Sequence, residues 1–264
     1  MYPVIEILGR EIGTYSLLAL LGAFLCGTVF CILINRRGLN DNQAIAFLLF
    51  VTLGAVVGSH ILYAIVNYRY IPALFSSRSL QEFANYLILW LGGSVFYGGL
   101  FGAAAAGSIT IKVMRLNRQV YLDCIAPVAP LFHAIARVGC FFAGCCYGIE
   151  SSVGFIVEHN PFVPELNGVC RFPVQLLESV GNLLISAVLF CLLKKSQRNE
   201  KLQGKLIFLY LLCYCILRFF DEFLRGDAAR GFVGVFSTSQ LISLILFCTV
   251  VAVLLVDRAY RKAE

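Results

Sequence analysis

In one apolar run, Arg218-Phe-Phe-Asp221-Glu222-Phe-Leu-Arg225 sets two guanidiniums around two carboxylates. On a helix Arg218, Glu222 and Arg225 fall at i, i+4 and i+7 and share a face, with Asp221 on its border. Such a set can lock a helical bundle as a buried ion-pair network. It can also be an anion site, because arginine grips phosphate through a planar bidentate fork and never loses its charge. His133, Arg137 and Cys140 also fall at i, i+4 and i+7. Taken alone, His133 reads equally well as a hydrogen-bonded core histidine or a catalytic one. Arg137 has no acidic residue within a turn on its own helix, so it calls for a partner from another helix or for an anionic ligand.

Two glycine-bearing segments accompany these sets. In Gly92-Gly93-Ser-Val-Phe-Tyr97-Gly98-Gly99-Leu-Phe-Gly102 the glycines either let a second backbone approach or line a cavity. Gly54 and Gly58 form a small-xxx-small pair that reads as packing, as do Gly102 and the alanines after it. Arg137-Val-Gly-Cys140-Phe-Phe-Ala-Gly-Cys145-Cys146-Tyr-Gly148 admits three readings. One is a thiolate metal site, though C-x4-C-C is not a usual zinc spacing. Another is a redox or structural disulfide, with Cys170 as partner of Cys145 or Cys146. The third is a cavity wall beside Arg137.

The elements that must carry these residues follow from composition. Of 264 residues, 59% are hydrophobic and 14% charged, against about 45–50% and roughly a quarter in soluble domains. This excludes a disordered chain, a coiled coil and a collagen-like repeat, and argues against a soluble enzyme. The net charge of +6 is spread over the connections between apolar runs and forms no basic arm for nucleic acid. The start, Met1 to Arg10, lacks the basic n-region and cleavage site of a removable signal peptide.

Hydrophobic runs predict an all-α integral membrane protein with seven transmembrane helices in a single polytopic domain, residues 1–264. The runs are Tyr15–Asn35, Ala44–Val66, Phe96–Val113, Tyr121–Phe142, Val174–Leu193, Leu206–Leu224 and Gln240–Val256. The fourth is the weakest, because it carries Pro127, Pro130, His133 and Arg137. Ser79–Trp90 is too short to span and reads as an interfacial helix between spans 2 and 3. Every lysine, including Lys201, lies on one set of connections, whereas Arg10, Arg69, Arg78, Arg171 and Arg230 lie on the other. The positive-inside rule then puts the amino terminus outside and the carboxyl terminus in the cytoplasm. At a rise of about 1.5 Å per residue, Arg137 lies about 24 Å and Arg218 about 18 Å from the inner end of their spans. Gln175 and Glu178 open the fifth span, Tyr15 and Tyr97 start descending spans, and His60 lies near the end of an ascending one. The intramembrane polar residues thus gather in the outer half.

In this order, the segments resemble the prolipoprotein diacylglyceryl transferase family of bacterial inner membranes. The family's Gly-Arg-x-Gly-Asn-Phe signature is similar to Ala136-Arg137-Val138-Gly139-Cys140-Phe141, followed by Gly144 and Gly148. Gly92–Gly99 and Tyr15 resemble the family's third-span and first-span elements. Phe172-Pro173-Val174-Gln175-Leu176-Leu177-Glu178 resembles its His-Pro-Thr-Gln-Leu-Tyr-Glu, and Arg218 to Asp227 its Arg-Phe…Glu-Phe-x-Arg-x-x-Asp. Departures are Tyr97 for a common His, Cys140 for Asn, Cys145 for Glu and His60 for Arg.

The resemblance implies transfer of the diacylglyceryl group of phosphatidylglycerol to the lipobox cysteine thiol in the signal peptide of a prolipoprotein. A thioether forms and glycerol phosphate leaves, with no metal or organic cofactor. Arg137 and Arg218 would clamp the phosphate, Glu222 would orient Arg218 or Arg225, and Tyr97 would hydrogen-bond the lipid or the thiol. Arg225, Tyr15, Gly98, Gly99, Gln175 and Glu178 would complete the phospholipid site. His133, His60, Cys140, Cys145 and Asp221 are further candidates, with His133, Asp221 and Glu222 as rival bases. The alternatives are a relative serving a different acceptor, an anion transporter and a membrane thiol oxidoreductase. A transporter needs polar residues through both leaflets, whereas the inner halves here are almost wholly apolar.

Overall fold

A computed structural model of the chain describes residues 2–7, 9–158, 160, 163–200, 202–227 and 231–263. Lys201 and Arg230 lie outside the described residues. Helices dominate: α1 Thr14–Asn35, α2 Asp41–Val66, α3 Ile71–Phe75, α4 Leu80–Leu91, α5 Phe96–Val113, α6 Arg118–Ala143, α7 Val174–Ser196, α8 Leu206–Asp221 and α9 Thr238–Ala263. Among the described residues, five helical stretches are long and apolar enough to cross a membrane: Thr14–Asn35, Asp41–Val66, Arg118–Ala143, Val174–Ser196 and Thr238–Ala259. Their outward faces fit that setting, with Leu20, Phe24, Leu49 and Leu184 among the large apolar side chains left exposed. Helices α5 and α8 coincide with the remaining two predicted runs, at 18 and 16 residues.

The chain also contains short antiparallel ribbons that hydropathy does not show: β1 Val4–Ile7 with β2 Arg10–Gly13, β3 Glu150–Ile156 with β4 Cys170–Arg171, and β5 Phe232–Val233 with β6 Phe236–Ser237. A register irregularity between Glu150 and Phe155 breaks the alternation by which β3 would be read.

Contacts divide the chain into two compact units, Cys31–Arg118 and the remainder, Met1–Phe30 with Gln119–Glu264. In the first, α2 lies against α5 along a seam of small residues. A Cβ on Gly58 would overlap the Gly98 carbonyl oxygen, and one on Gly54 would stand 2.6 Å from that of Gly102. The glycine density at the start of the third predicted span is thus used in helix packing. Helix α4 begins at Ser79, whose hydroxyl accepts from Glu82 N at 3.1 Å while the Glu82 carboxylate accepts from Arg78 N at 2.9 Å. It returns along α2, where His60 Nδ1 lies 3.0 Å from Leu91 O and Trp90 Nε1 donates to Ala64 O at 3.0 Å. His60 joins the wall of an apolar groove of about 740 Å³ between these helices. Tyr97 lies half-buried in the first turn of α5.

In the larger unit the amino-terminal ribbon is fastened to the end of α6. Tyr2 N donates to Phe142 O at 3.1 Å, and the Thr14 hydroxyl to Tyr2 O. The start of α1, with Tyr15, therefore lies beside the end of α6, where a Cβ on Gly139 would be 3.3 Å from the Tyr15 ring. Helix α6 stays helical through Pro127 and Pro130. Helix α7 supports it: Ser186 Oγ donates to Pro127 O at 2.7 Å and Ser179 Oγ to Ala134 O at 2.9 Å. At the other end of α6, buried Asp123 accepts from Ser196 Oγ at 2.9 Å and Leu206 N at 3.2 Å. One carboxylate thereby ties off α7 and caps α8.

Candidate functional site

Helices α6, α7 and α8 each contribute charged side chains to one cluster. Arg137 Nη2 lies 2.6 Å from Glu178 Oε2. The other oxygen, Oε1, is 3.5 Å from His133 Nε2 and accepts from Tyr214 Oη at 3.3 Å. The His133 ring is tilted against that of Tyr214, with centroids 4.8 Å apart. Glu178 is 1% exposed and its oxygens are shared by groups from both flanking helices, as an ionised carboxylate buried this deeply requires. The partner that Arg137 lacks on its own helix is thus supplied by α7.

Arg218 makes the second half. Its Nη2 is 2.5 Å from Glu222 Oε2 and 3.1 Å from Ser239 Oγ on α9, and its Nη1 is 3.8 Å from Asp221 Oδ2. Asp221 lies in electrostatic reach of Glu178, joining the two halves. Buried N–H groups on each guanidinium, Arg137 Nε and Arg218 Nη1, make no hydrogen bond among the described residues. Such donors can receive an anion; the two Asp221 oxygens, buried in the same cluster, also make no hydrogen bond among the described residues.

The expected common face of Arg218, Glu222 and Arg225 does not form. Helix α8 ends at Asp221, a 3-10 turn covers Glu222–Leu224, and Arg225 is extended at φ −82°, ψ 139°. The chain turns there to pair Arg225 with Gly148. The Arg225 guanidinium instead binds Asp227 through two bonds, Nε to Oδ1 at 2.9 Å and Nη2 to Oδ2 at 2.5 Å.

Beyond Arg137 the chain leaves α6 through Gly144 and presents Cys145 and Cys146. Gln175, buried at the start of α7, donates to Cys145 O at 2.9 Å and fixes this turn. Cys145, Cys146 and Cys170 form no disulfide, so the expected Cys145–Cys170 or Cys146–Cys170 bridge is not made. Cys170 lies in β4, paired with Ile156. The Cys140, Cys145 and Cys146 sulfurs cluster within 4.8 Å of one another. Arg137 Nη1 donates to Cys140 Sγ at 3.9 Å, and Tyr15 lies in electrostatic reach of Arg137 and the three thiols. Hydrogen bonds from the Cys140 and Cys145 thiols hold Cys146 far below the usual thiol range. Arg137 and Arg225 add to that pull.

Of the residues singled out from sequence, the larger unit gathers Tyr15, His133, Arg137, Cys140, Cys145, Gln175, Glu178, Arg218, Asp221 and Glu222 around these two arginines and the adjoining turn. Tyr97, Gly98, Gly99 and His60 belong to the other unit. Tyr214, Ser239 and Tyr210, whose ring centroid lies 6.0 Å from that of Tyr214, were not anticipated. Tyr210, Tyr214, Arg218 and Glu222 recur every fourth residue, and this spacing was the available signal.

Residues 3–256 match the model of the family described as prolipoprotein diacylglyceryl transferase. The chain is 32% identical over 246 residues to phosphatidylglycerol–prolipoprotein diacylglyceryl transferase 2 of Clostridium perfringens, covering 91% of this chain and 89% of that one. It is 31% identical over 265 residues to the Clostridium tetani protein named as the same transferase, covering 99% and 100%. The Geobacter sulfurreducens protein of that name is 32% identical over 250 residues, covering 93% and 91%. The chain therefore belongs to the prolipoprotein diacylglyceryl transferase family.

Proposed function

We propose that the protein transfers the diacylglyceryl group of phosphatidylglycerol to the lipobox cysteine thiol of a prolipoprotein. The acceptor sulfur forms a bond to the glyceryl carbon, the bond from that carbon to the phosphate oxygen breaks, and glycerol phosphate leaves. The observation that carries this reading, beside family membership, is the presence in one cluster of Arg137 and the buried Arg218, whose buried Nε and Nη1 groups, respectively, make no hydrogen bond among the described residues. A phosphate ester departing in low dielectric needs donors aimed at its growing charge. Glu178 and Glu222 act as positioning residues, since a carboxylate facing the phosphate would repel it, whereas one behind a guanidinium holds it in place. Tyr97, Tyr15, Gly98, Gly99 and Gln175 remain assigned to lipid or acceptor on the family resemblance. No cofactor is assigned.

The same reading takes α5 and α8 as spans three and six, giving seven spans, an outer amino terminus and a cytoplasmic carboxyl terminus in one domain of the bacterial inner membrane. Helix α4, amphipathic and short, lies at the interface. Arg137 and the turn after it then face the outer leaflet.

The test incubates purified protein in phosphatidylglycerol liposomes with a synthetic lipobox peptide, following peptide mass and glycerol phosphate. Mass gain on the cysteine with equimolar release is expected. Release without peptide modification would assign a different acceptor, and neither signal from folded protein would overturn the reading.

A further inference from the structure

Gly144 ends α6 in the left-handed region, φ +73°. The bonds around it are those of a Schellman cap: Gly144 N to Phe141 O and Cys145 N to Cys140 O, each 3.2 Å. This cap brings the side chains five residues apart into contact through backbone geometry alone, and here both are cysteines. Cys146 follows at φ +54°, uncommon for a residue with a side chain, and its thiol joins the other two. C-x4-C-C, unpromising as a linear motif, thus becomes a compact set of three sulfurs within 4.8 Å of one another. Metal–sulfur bonds of about 2.3 Å in a trigonal set need sulfurs roughly 4 Å apart. The set therefore has less than about 1 Å to close.

We propose that Cys140, Cys145 and Cys146 form a trigonal three-thiolate site for one thiophilic d10 metal ion of the Cu(I), Zn(II) or Cd(II) class. Sulfur donors select this class over hard ions such as Mg2+. Binding forms three metal–sulfur bonds, and each S–H that ionises gives its proton to solvent; no oxidation state changes. Three thiolates on such an ion leave surplus negative charge. Arg137, 3.9 Å from Cys140 Sγ, and Arg225, in electrostatic reach of Cys146, offset it. Cys145 reaches the surface and gives the ion an entry. The metal's ligands are these three sulfurs, and the site stands or falls independently of the transferase reading.

The test titrates the reduced full-length protein, in detergent and under nitrogen, with Cd2+. One equivalent is expected to raise a thiolate-to-cadmium absorption band. It should also slow maleimide labelling of Cys140, Cys145 and Cys146 by about tenfold or more, since only the free thiolate reacts. Mass spectrometry reads this residue by residue, with Cys170 still labelled as the internal control. Mg2+ should do neither. Cys145→Ser and Cys146→Ser, checked for unchanged helical circular dichroism, should each weaken Cd2+ binding by about 10–100-fold. Absence of the band, protection at other cysteines only, or full affinity in both variants would overturn the site. The wild-type protection pattern decides the matter even where a variant fails to fold.

Discussion

Arg137 on α6 and Glu178 on α7 meet at 2.6 Å, and Glu178 turns its second oxygen to His133 and Tyr214. The guanidinium is therefore held by the fold itself, and in the proposed reaction a phosphate would meet donors already in place.

Glu178→Gln tests that relationship. The amide keeps the size of the side chain and removes the charge that holds Arg137. Transfer is expected to fall on the order of 100-fold. Breaking a buried ion pair also costs about 3–5 kcal/mol, so the melting temperature in detergent should drop. Wild-type turnover in liposomes would show that Glu178 does not position Arg137.

Arg137→Ala and Arg218→Ala should each abolish measurable transfer while the protein still inserts and runs as a single species on gel filtration. The Lys variants carry the charge without the fork, and losses of about 10²–10³-fold are expected for them too. Normal rates in either Ala variant would remove the phosphate clamp.

Asp123→Ala should lower stability by about 1–3 kcal/mol, because it deprives Leu206 N and Ser196 Oγ of their buried acceptor. Asp123→Asn keeps one acceptor oxygen and should fall between. Thermal unfolding reads both, and equal melting temperatures for all three proteins would deny Asp123 its capping role.

Gly58→Leu should force α2 and α5 apart, since the new Cβ would overlap the Gly98 carbonyl and stand 2.8 Å from Gly102 Cα. Overpacking of this kind costs about 1–3 kcal/mol. Gly13→Ala, whose Cβ meets Ser16 Oγ at an ordinary 3.7 Å, is the control with no expected change.

Much of the site could be read in the sequence because helical spacing is local. Arg218, Asp221 and Glu222 do meet as their spacing requires, and Arg137 does take a partner from another helix. Arg225 was misplaced because spacing arguments assume the helix continues, and α8 stops at Asp221. The thiol cluster stood only as one of three readings of its segment, because a Schellman cap relates residues five apart, outside the i+3 and i+4 rules. The ribbons were hidden because strands this short leave little periodic trace. The stretches of α1, α2, α6, α7 and α9 that are long and apolar enough to cross a membrane were legible from hydropathy, the property a bilayer selects for.

The prolines of α6 bear on the order of assembly. Pro127 and Pro130 leave the Asp123 and Ala126 carbonyls without their helical N–H donors, while serines of α7 bond two other carbonyls of α6, those of Pro127 and Ala134. Alone in hydrocarbon, α6 would carry unsatisfied backbone as well as Arg137 and Asp123. Such a segment gains by waiting at the translocon until α7 has been made. Entering the lipid together as a hairpin, the two helices would carry the Arg137–Glu178 pair already closed.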